Sequence, residues 1–305
     1  MIKKWWIYQK ERFPVVANGV LIAAFSLSAV AHSMLLRSGG EIANFATGGA
    51  VAFVSGFLFF LQLRIFDEFK DYEDDRQYRP YRPVPRGLVS LRELAIAGVI
   101  AAGIQLAFAL GLSPRLVLLL LLVWGYMGLM GREFFVPEWL KKHPIAYLIS
   151  HMAIMPAIAF YCMACDWGAI ATTPPAGFTW FLLVSFFNGI IIEIGRKIRS
   201  PDDEETGVET YSVLWGRRKA VFLWLTVCGV TAICALRGAA EIEFMLPVLI
   251  LLVGLLVTAA LVSRGFLAHP YPKAGKRIEI LAGIWTLLMY LSLGAIPLGV
   301  RYFFP

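Results

Sequence analysis

Between Arg64 and Gly87 the chain reads RIFDEFKDYEDDRQYRPYRPVPRG, acids first and arginines after. Asp67, Asp71 and Asp75 recur every four residues. On a helix advancing about 100° per residue, that spacing keeps them on one face, and Asp74 falls on the same side. Carboxylates stacked this way repel one another unless a cation sits among them. Mg²⁺ suits such oxygen donors: it takes one or two carboxylates and fills its other positions with water and phosphate oxygens. Arg79, Arg82 and Arg86 follow, set among Pro80, Pro83 and Pro85. The prolines end the helix and hold the chain extended, leaving forked guanidinium groups free for phosphate. Acids for a metal, then bases for phosphate, describe a metal–diphosphate site. The plain alternative is a solvated loop after an apolar helix.

A second stretch, EIGRKIRSPDDEETGVETYSVLWGRRK, covers residues 193–219. It carries an acidic knot, Asp202, Asp203, Glu204 and Glu205, behind Arg196, Lys197 and Arg199. Pro201 breaks the preceding helix and Gly207 allows a turn. Glu193 falls within the last apolar turns, where an unpaired carboxylate is costly. A buried partner such as Arg64 would resolve this, as would contact with a metal or substrate. Two acid groups on one side of a membrane could clamp a metal-bound diphosphate from both flanks.

The elements that must position these stretches are membrane helices. The chain has 305 residues, 59% of them hydrophobic and only 16% charged, more apolar surface than a soluble domain of this size needs. Its apolar runs are continuous rather than alternating, which points to helices rather than a β-barrel. Nine runs approach the ~20 residues a bilayer requires, at about 14–36, 46–66, 93–112, 115–131, 144–165, 177–195, 219–236, 244–263 and 278–300. All but four of the 28 lysines and arginines fall in alternate loops, leaving Arg37, Arg115, Arg237 and Arg301 on the other side. The positive-inside bias therefore predicts an all-α polytopic bundle of nine transmembrane helices, N-terminus cytoplasmic and C-terminus outside. Both acid-bearing stretches then share the cytoplasmic face.

The first residues lack a signal peptide's short apolar core and cleavage site. Trp5, Trp6 and Tyr8, with Lys3, Lys4 and Lys10, read as an interfacial anchor. The net charge of +7 marks the cytoplasmic face of a membrane protein and does not call for nucleic acid. Cys162 and Cys165 lie in an apolar helix and read as helix wall, as do Cys228 and Cys234. With no repeat and no linker, residues 1–305 are expected to form one membrane-embedded domain.

These motifs make the chain resemble the UbiA superfamily of intramembrane prenyltransferases. The family's first signature, N-D-x-x-D-x-x-x-D followed by R-P-x-P-x-G, corresponds to Asp67, Glu68, Asp71 and Asp75, then Arg82-Pro83-Val84-Pro85-Arg86-Gly87. Its second signature maps onto Asp203, Gly207, Thr210 and Gly216, and Lys141, Lys142 and Pro144 match a basic loop. The chain departs at Asp67, where Asn is usual, at Glu68, and at Arg199, where an acid is expected. It therefore reads as a divergent member. The resemblance implies Mg²⁺ held by Asp67, Glu68, Asp71, Asp75 and Asp203. Arg64, Arg82, Arg86, Lys142, Asn188, Glu193, Arg196 and Lys197 would meet the substrates, with Asn18 and Arg12 as candidates for the acceptor pocket.

The expected activity is transfer of an isoprenyl group from an allylic prenyl diphosphate to a small lipophilic or aromatic acceptor. The membrane would be a bacterial plasma membrane, with the site facing the cytoplasm. A terpene cyclase would use the same ionising site without an acceptor, and a cation transporter would place its acids near the bilayer midplane. His151 reads as a packing residue. Phe57, Phe59, Phe60, Phe186 and Phe187 could wall a prenyl tunnel.

Overall fold

The computed structural model describes residues 2–37, 42–170 and 173–303, and among these every regular element is helical. A short helix α1 (Ile2–Arg12) leads into α2 (Val15–Leu36) and α3 (Ile42–Lys70), then a stub α4 (Tyr72–Tyr78). The Pro80–Pro85 loop separates α4 from α5 (Leu91–Leu112) and α6 (Leu116–Gly131). Next come α7 (Pro137–Lys142), α8 (Pro144–Met152), α9 (Ile154–Trp167) and α10 (Phe178–Arg196). The rest is α11 (Tyr211–Trp215), α12 (Arg217–Glu241), α13 (Met245–Ala268), α14 (Gly275–Leu293) and α15 (Ala295–Phe303).

All nine apolar runs expected from sequence are helical, α8 with α9 and α14 with α15 each filling one run. Among the described residues, eight helical spans are long and apolar enough to cross a membrane. The ninth run, α6, has 16 residues; at 1.5 Å per residue it reaches about 24 Å, short of a ~30 Å hydrocarbon core.

Local chemistry sets the boundaries. Ser90 and Glu93 form a capping box at the start of α5, and prolines open α7 and α8, where a missing N–H costs nothing. Gly294 breaks α14 from α15 because α2 presses on it: a Cβ there would sit 2.2 Å from the Ser28 carbonyl oxygen. His32 Nδ1 lies 2.7 Å from the Leu293 carbonyl at this break. Carbonyls freed at a helix end need such a donor.

The core lies among α2, α3, α9, α10, α12 and α14, filled by Phe25, Phe59, Tyr161, Phe181, Trp224, Trp285 and Tyr290. By contrast α5 and α13 are peripheral, showing Val99, Ile100, Ile250, Val253 and Leu261 outward. In a multi-pass membrane protein such faces meet lipid tails. Cys162 and Cys165 are buried free thiols in the wall of α9, as expected.

Two ends of the bundle can be told apart by their contacts. At one end Lys4 meets Glu93, Lys70 meets Tyr147 and Asp203 meets Lys273. At the other, Arg37 meets Asp166. Both acid-bearing stretches therefore sit at one end. They also touch: Tyr81 Oη donates to Glu205 at 3.5 Å, and Gly207 packs on Tyr78. Gly207 has φ +77°, and a Cβ would lie 2.5 Å from the Tyr78 ring, so the approach requires glycine on both counts.

Candidate active site

Helical hydrogen bonds run through Asp71, from its N–H to the Asp67 carbonyl (2.9 Å) and from the Asp75 N–H to its own (2.8 Å). α3 ends at Lys70 and α4 begins at Tyr72, and the acids around this junction fall into two sets. Asp75 is 1% exposed and enclosed by arginines. Arg82 donates to both its oxygens at 2.8 and 2.6 Å, Arg79 lies at 3.0 Å, and Arg12 approaches from α1 at 3.9 Å. Glu68, equally buried, accepts from Arg12 Nε. The Pro80–Pro85 loop folds its arginines back onto Asp75 instead of leaving them extended.

Asp67 and Asp71 form the open set. Asp67 is 45% exposed and has Arg64 at 3.5 Å. Asp71 makes no side-chain hydrogen bond or ion pair with a described residue. Burial pushes its pKa above the usual carboxylate range; Lys70 opposes that rise, while Asp67 and Asp75 add to it. Lys70, between them in sequence, turns its ammonium to Tyr147 Oη at 2.5 Å and lies 3.5 Å from Glu133. Tyr147 in turn stacks on His151, rings 3.8 Å apart.

His151 Nδ1 is 2.9 Å from the Tyr147 carbonyl. A carbonyl only accepts, so Nδ1 carries the proton and Nε2 is left a bare acceptor. That Nε2 is buried without a partner, within electrostatic reach of Lys70, Asp67 and Glu193.

The opposite wall comes from the end of α10. Glu193 does not pair with Arg64, as one reading of the sequence expected. It takes Arg196 Nε at 2.6 Å and Lys197 Nζ at 3.0 Å, partners one turn along its own helix. Lys197 also lies over the Tyr211 ring at 5.5 Å. Burial, with Glu193 adding to it, raises the Tyr211 hydroxyl's pKa. Arg196 lies within electrostatic reach of Asp67 across the gap.

Asp203 belongs to an adjoining groove of about 550 Å³, lined by Arg196, Arg199, Asp203, Lys273 and Lys276 among others. Its carboxylate takes the Lys273 backbone N–H at 2.6 Å, holding that residue at φ +64°. Arg199 is bound to Glu205, and Thr210 both caps α11 and donates to Glu204.

The remaining expected residues scatter. Arg86 pairs with Glu11 and donates to the Tyr81 carbonyl. Lys142 and Asp74 are exposed. Asn188 is fully buried a turn and a half deeper than Glu193, its amide unpartnered beside Ser185 and Tyr290. Tyr8 is no interfacial anchor: it is buried against Ile65, Val84, Val89 and Leu94, while Trp6 is exposed. Arg12 is committed to Glu68. Phe59 packs edge-on to Tyr161 and Phe60 to Phe25, while Phe57 meets Phe13; Phe186 and Phe187 meet each other.

The sequence pattern of the UbiA prenyltransferase family matches residues 25–279. The chain belongs to that family. Among curated relatives, digeranylgeranylglyceryl phosphate synthase of Thermococcus sibiricus is 25% identical over 240 residues, covering 77% of this chain and 81% of that one. The synthase of Thermococcus gammatolerans is 28% identical over 159 residues, 52% and 53% of the two chains.

Solved structures share the fold. A UbiA homolog from Aeropyrum pernix K1 superimposes with a TM-score of 0.68 at 13% identity, covering 93% of this chain and 98% of that one. A UbiA homolog from Archaeoglobus fulgidus bound to GPP and Mg²⁺ gives 0.54 at 11% identity, covering 94% and 99%.

Lys70, Tyr147 and the free nitrogen of His151 stand beside the open acids without having been singled out as site candidates from the sequence. Lys70 was detectable as a cation set between two of the acids. Tyr147 had no signal, since only the packing of α8 against α10 brings it to Lys70.

Proposed function

We propose that the chain transfers an isoprenyl group from an allylic prenyl diphosphate to a hydroxyl-bearing or aromatic lipophilic acceptor, with Mg²⁺ as cofactor. The observation that carries this is the open pair at the end of a membrane bundle, Asp67, held only by Arg64 at 3.5 Å, and Asp71, without a bonded partner among the described residues, within electrostatic reach of Lys70. Charges left unsatisfied in a partly enclosed site are functional candidates. The donor set fits the ion: hard oxygens, two in number, with room for water and phosphate. Among the described residues no three or more of His, Cys, Asp and Glu converge to hold a metal alone, so diphosphate oxygens would complete the coordination. The A. fulgidus relative bound to GPP and Mg²⁺ supports the same pairing.

Mg²⁺, when bound, supplies electrostatic stabilisation of the departing diphosphate. Arg196, Lys197 and Lys70 add fixed positive charge around it, pre-aimed at where negative charge grows. The carbon–oxygen bond breaks with its electron pair going to the diphosphate. The packed interior of α2, α3, α9 and α10 keeps water from the allylic cation, whose charge the ring faces of Phe and Tyr side chains offset. The acceptor oxygen or ring carbon then bonds the cation and loses its proton, for which Nε2 of His151 is the open acceptor. The site faces the cytoplasmic side of a plasma membrane by the loop charges, and the whole chain acts as one embedded catalytic domain.

The test is incubation of purified protein with Mg²⁺ and geranylgeranyl diphosphate, with and without membrane lipid extract, followed by mass spectrometry. Diphosphate release with a prenylated lipid only in the lipid-containing sample supports transfer. A cyclic hydrocarbon formed without lipid overturns transfer in favour of a cyclase.

A further inference from the structure

We propose that this site binds its diphosphate with a single Mg²⁺, and that Lys70 and Arg196 provide fixed positive charge in place of a second ion. The inference deepens the diphosphate reading above and rests on it. Six acids of the two stretches are the candidate ligands: Asp67, Glu68, Asp71, Asp75, Glu193 and Asp203. Three are committed to ion pairs, and a fourth, Asp203, lies in the adjoining groove. Glu68 holds Arg12, Asp75 holds Arg82 and Arg79, Glu193 holds Arg196 and Lys197, and Asp203 holds the Lys273 N–H. Drawing Glu68 to a metal would strand Arg12, whose side chain is 9% exposed, and drawing Asp75 away would strand Arg82 and Arg79. Breaking a buried pair in this way is strongly unfavourable. Asp71 remains, with Asp67, whose pair with Arg64 is long at 3.5 Å and partly exposed, and two carboxylates are the complement of one Mg²⁺.

The cations complete the count. Lys70 sits within electrostatic reach of both Asp67 and Asp71, anchored by Tyr147 and more loosely, at 3.5 Å, by Glu133. An ammonium fixed there repels a second dication placed beside the first. On the opposite wall Glu193 offsets one of the two charges of Arg196 and Lys197, leaving a net positive unit. Arg196 is half exposed and so free to turn its second edge to phosphate. The same chemistry explains how a stretch whose expected acid is replaced by Arg199 can still serve a diphosphate: that flank brings cations directly instead of acids that recruit them.

The test counts metal without relying on turnover. The full chain in detergent is equilibrated with Mn²⁺ and inorganic pyrophosphate, and protein-bound Mn²⁺ is measured by dialysis and electron paramagnetic resonance. One Mn²⁺ per chain is expected, lost in Asp71→Asn and retained in Glu68→Gln and Asp75→Asn variants that keep native circular dichroism. Lys70→Met should weaken pyrophosphate binding about ten- to hundredfold, the scale of one charged hydrogen bond, and Lys70→Arg should recover most of it. Two Mn²⁺ per wild-type chain, or loss of the ion in folded Glu68→Gln, overturns the single-ion assignment while leaving the diphosphate site standing. No Mn²⁺ at any pyrophosphate concentration removes both.

Discussion

Each end of the bundle holds an aspartate at the edge of a long helix, and the two are treated in opposite ways. Asp166, at the end of α9, receives Arg37 through both Nε at 3.0 Å and Nη2 at 2.5 Å, with Ser33 Oγ at 2.6 Å. Its side chain is 2% exposed and its bonding capacity is filled. Asp71, at the end of α3, is half-buried and has no bonded partner among the described residues. Both carry one negative charge, and only the second has capacity left for something that is not protein. A buried acid whose bonds are complete cross-links helices; one left incomplete is kept for a ligand.

Breaking each aspartate should separate the two roles. Asp71→Ala should cut turnover at least about 10²–10³-fold, the scale of losing a preorganised electrostatic contact. Helical content and thermal unfolding should stay close to wild type. Unchanged turnover would remove Asp71 from the site.

Asp166→Asn should do the reverse. Leaving Arg37 without its counter-charge costs roughly 3–5 kcal/mol, read as a lower unfolding temperature or shorter half-life in detergent, while protein that remains folded keeps its kcat. A drop in kcat at full stability would contradict the division.

His151→Phe preserves the stacking on Tyr147 and removes the acceptor nitrogen. Prenyl transfer should slow about a hundredfold, within the range for a positioned base, with diphosphate binding unchanged. Equal rates would return His151 to the packing role that its sequence suggested.

The smallest effect concerns pH. Burial raises the pKa of Asp71, so its neutral form favours the folded state, and that contribution is present at low pH and lost as pH rises through the folded value. Mg²⁺ requires the ionised form. Thermal stabilisation by Mg²⁺ should therefore grow with pH across a window displaced above the ordinary carboxylate range, and shrink to nothing in Asp71→Asn.

The fold was legible because bilayer length imposes long apolar runs, and these mark α2, α3, α5, α6, α8 with α9, α10, α12, α13 and α14 with α15 regardless of what packs on what. The neighbourhood of the site was legible too, since acids clustered at a helix end are unusual in so apolar a chain. The division of labour among those acids was not. A four-residue spacing places Asp67, Asp71 and Asp75 alike on a straight helix. What distinguishes them is the loop that turns Arg82 back, and Arg12, which lies 56 residues from Glu68 in the chain. The Asp166 cross-link was hidden for the same reason: Arg37 is 129 residues away, and on its own it reads as a stray outer charge. Glu193 misled in the other direction, its partners being its nearest helical neighbours.

Because Arg12 is what keeps Glu68 company, helix α1 is a keystone for the acid-bearing end of α3. Trimming residues 1–12 would remove no group that touches substrate, yet it would leave an orphan anion beside Asp67 and loosen the floor on which Asp75 and its guanidinium collar rest. For anyone engineering this enzyme, shortening the amino-terminal segment is a mutation of the acid cluster by another route.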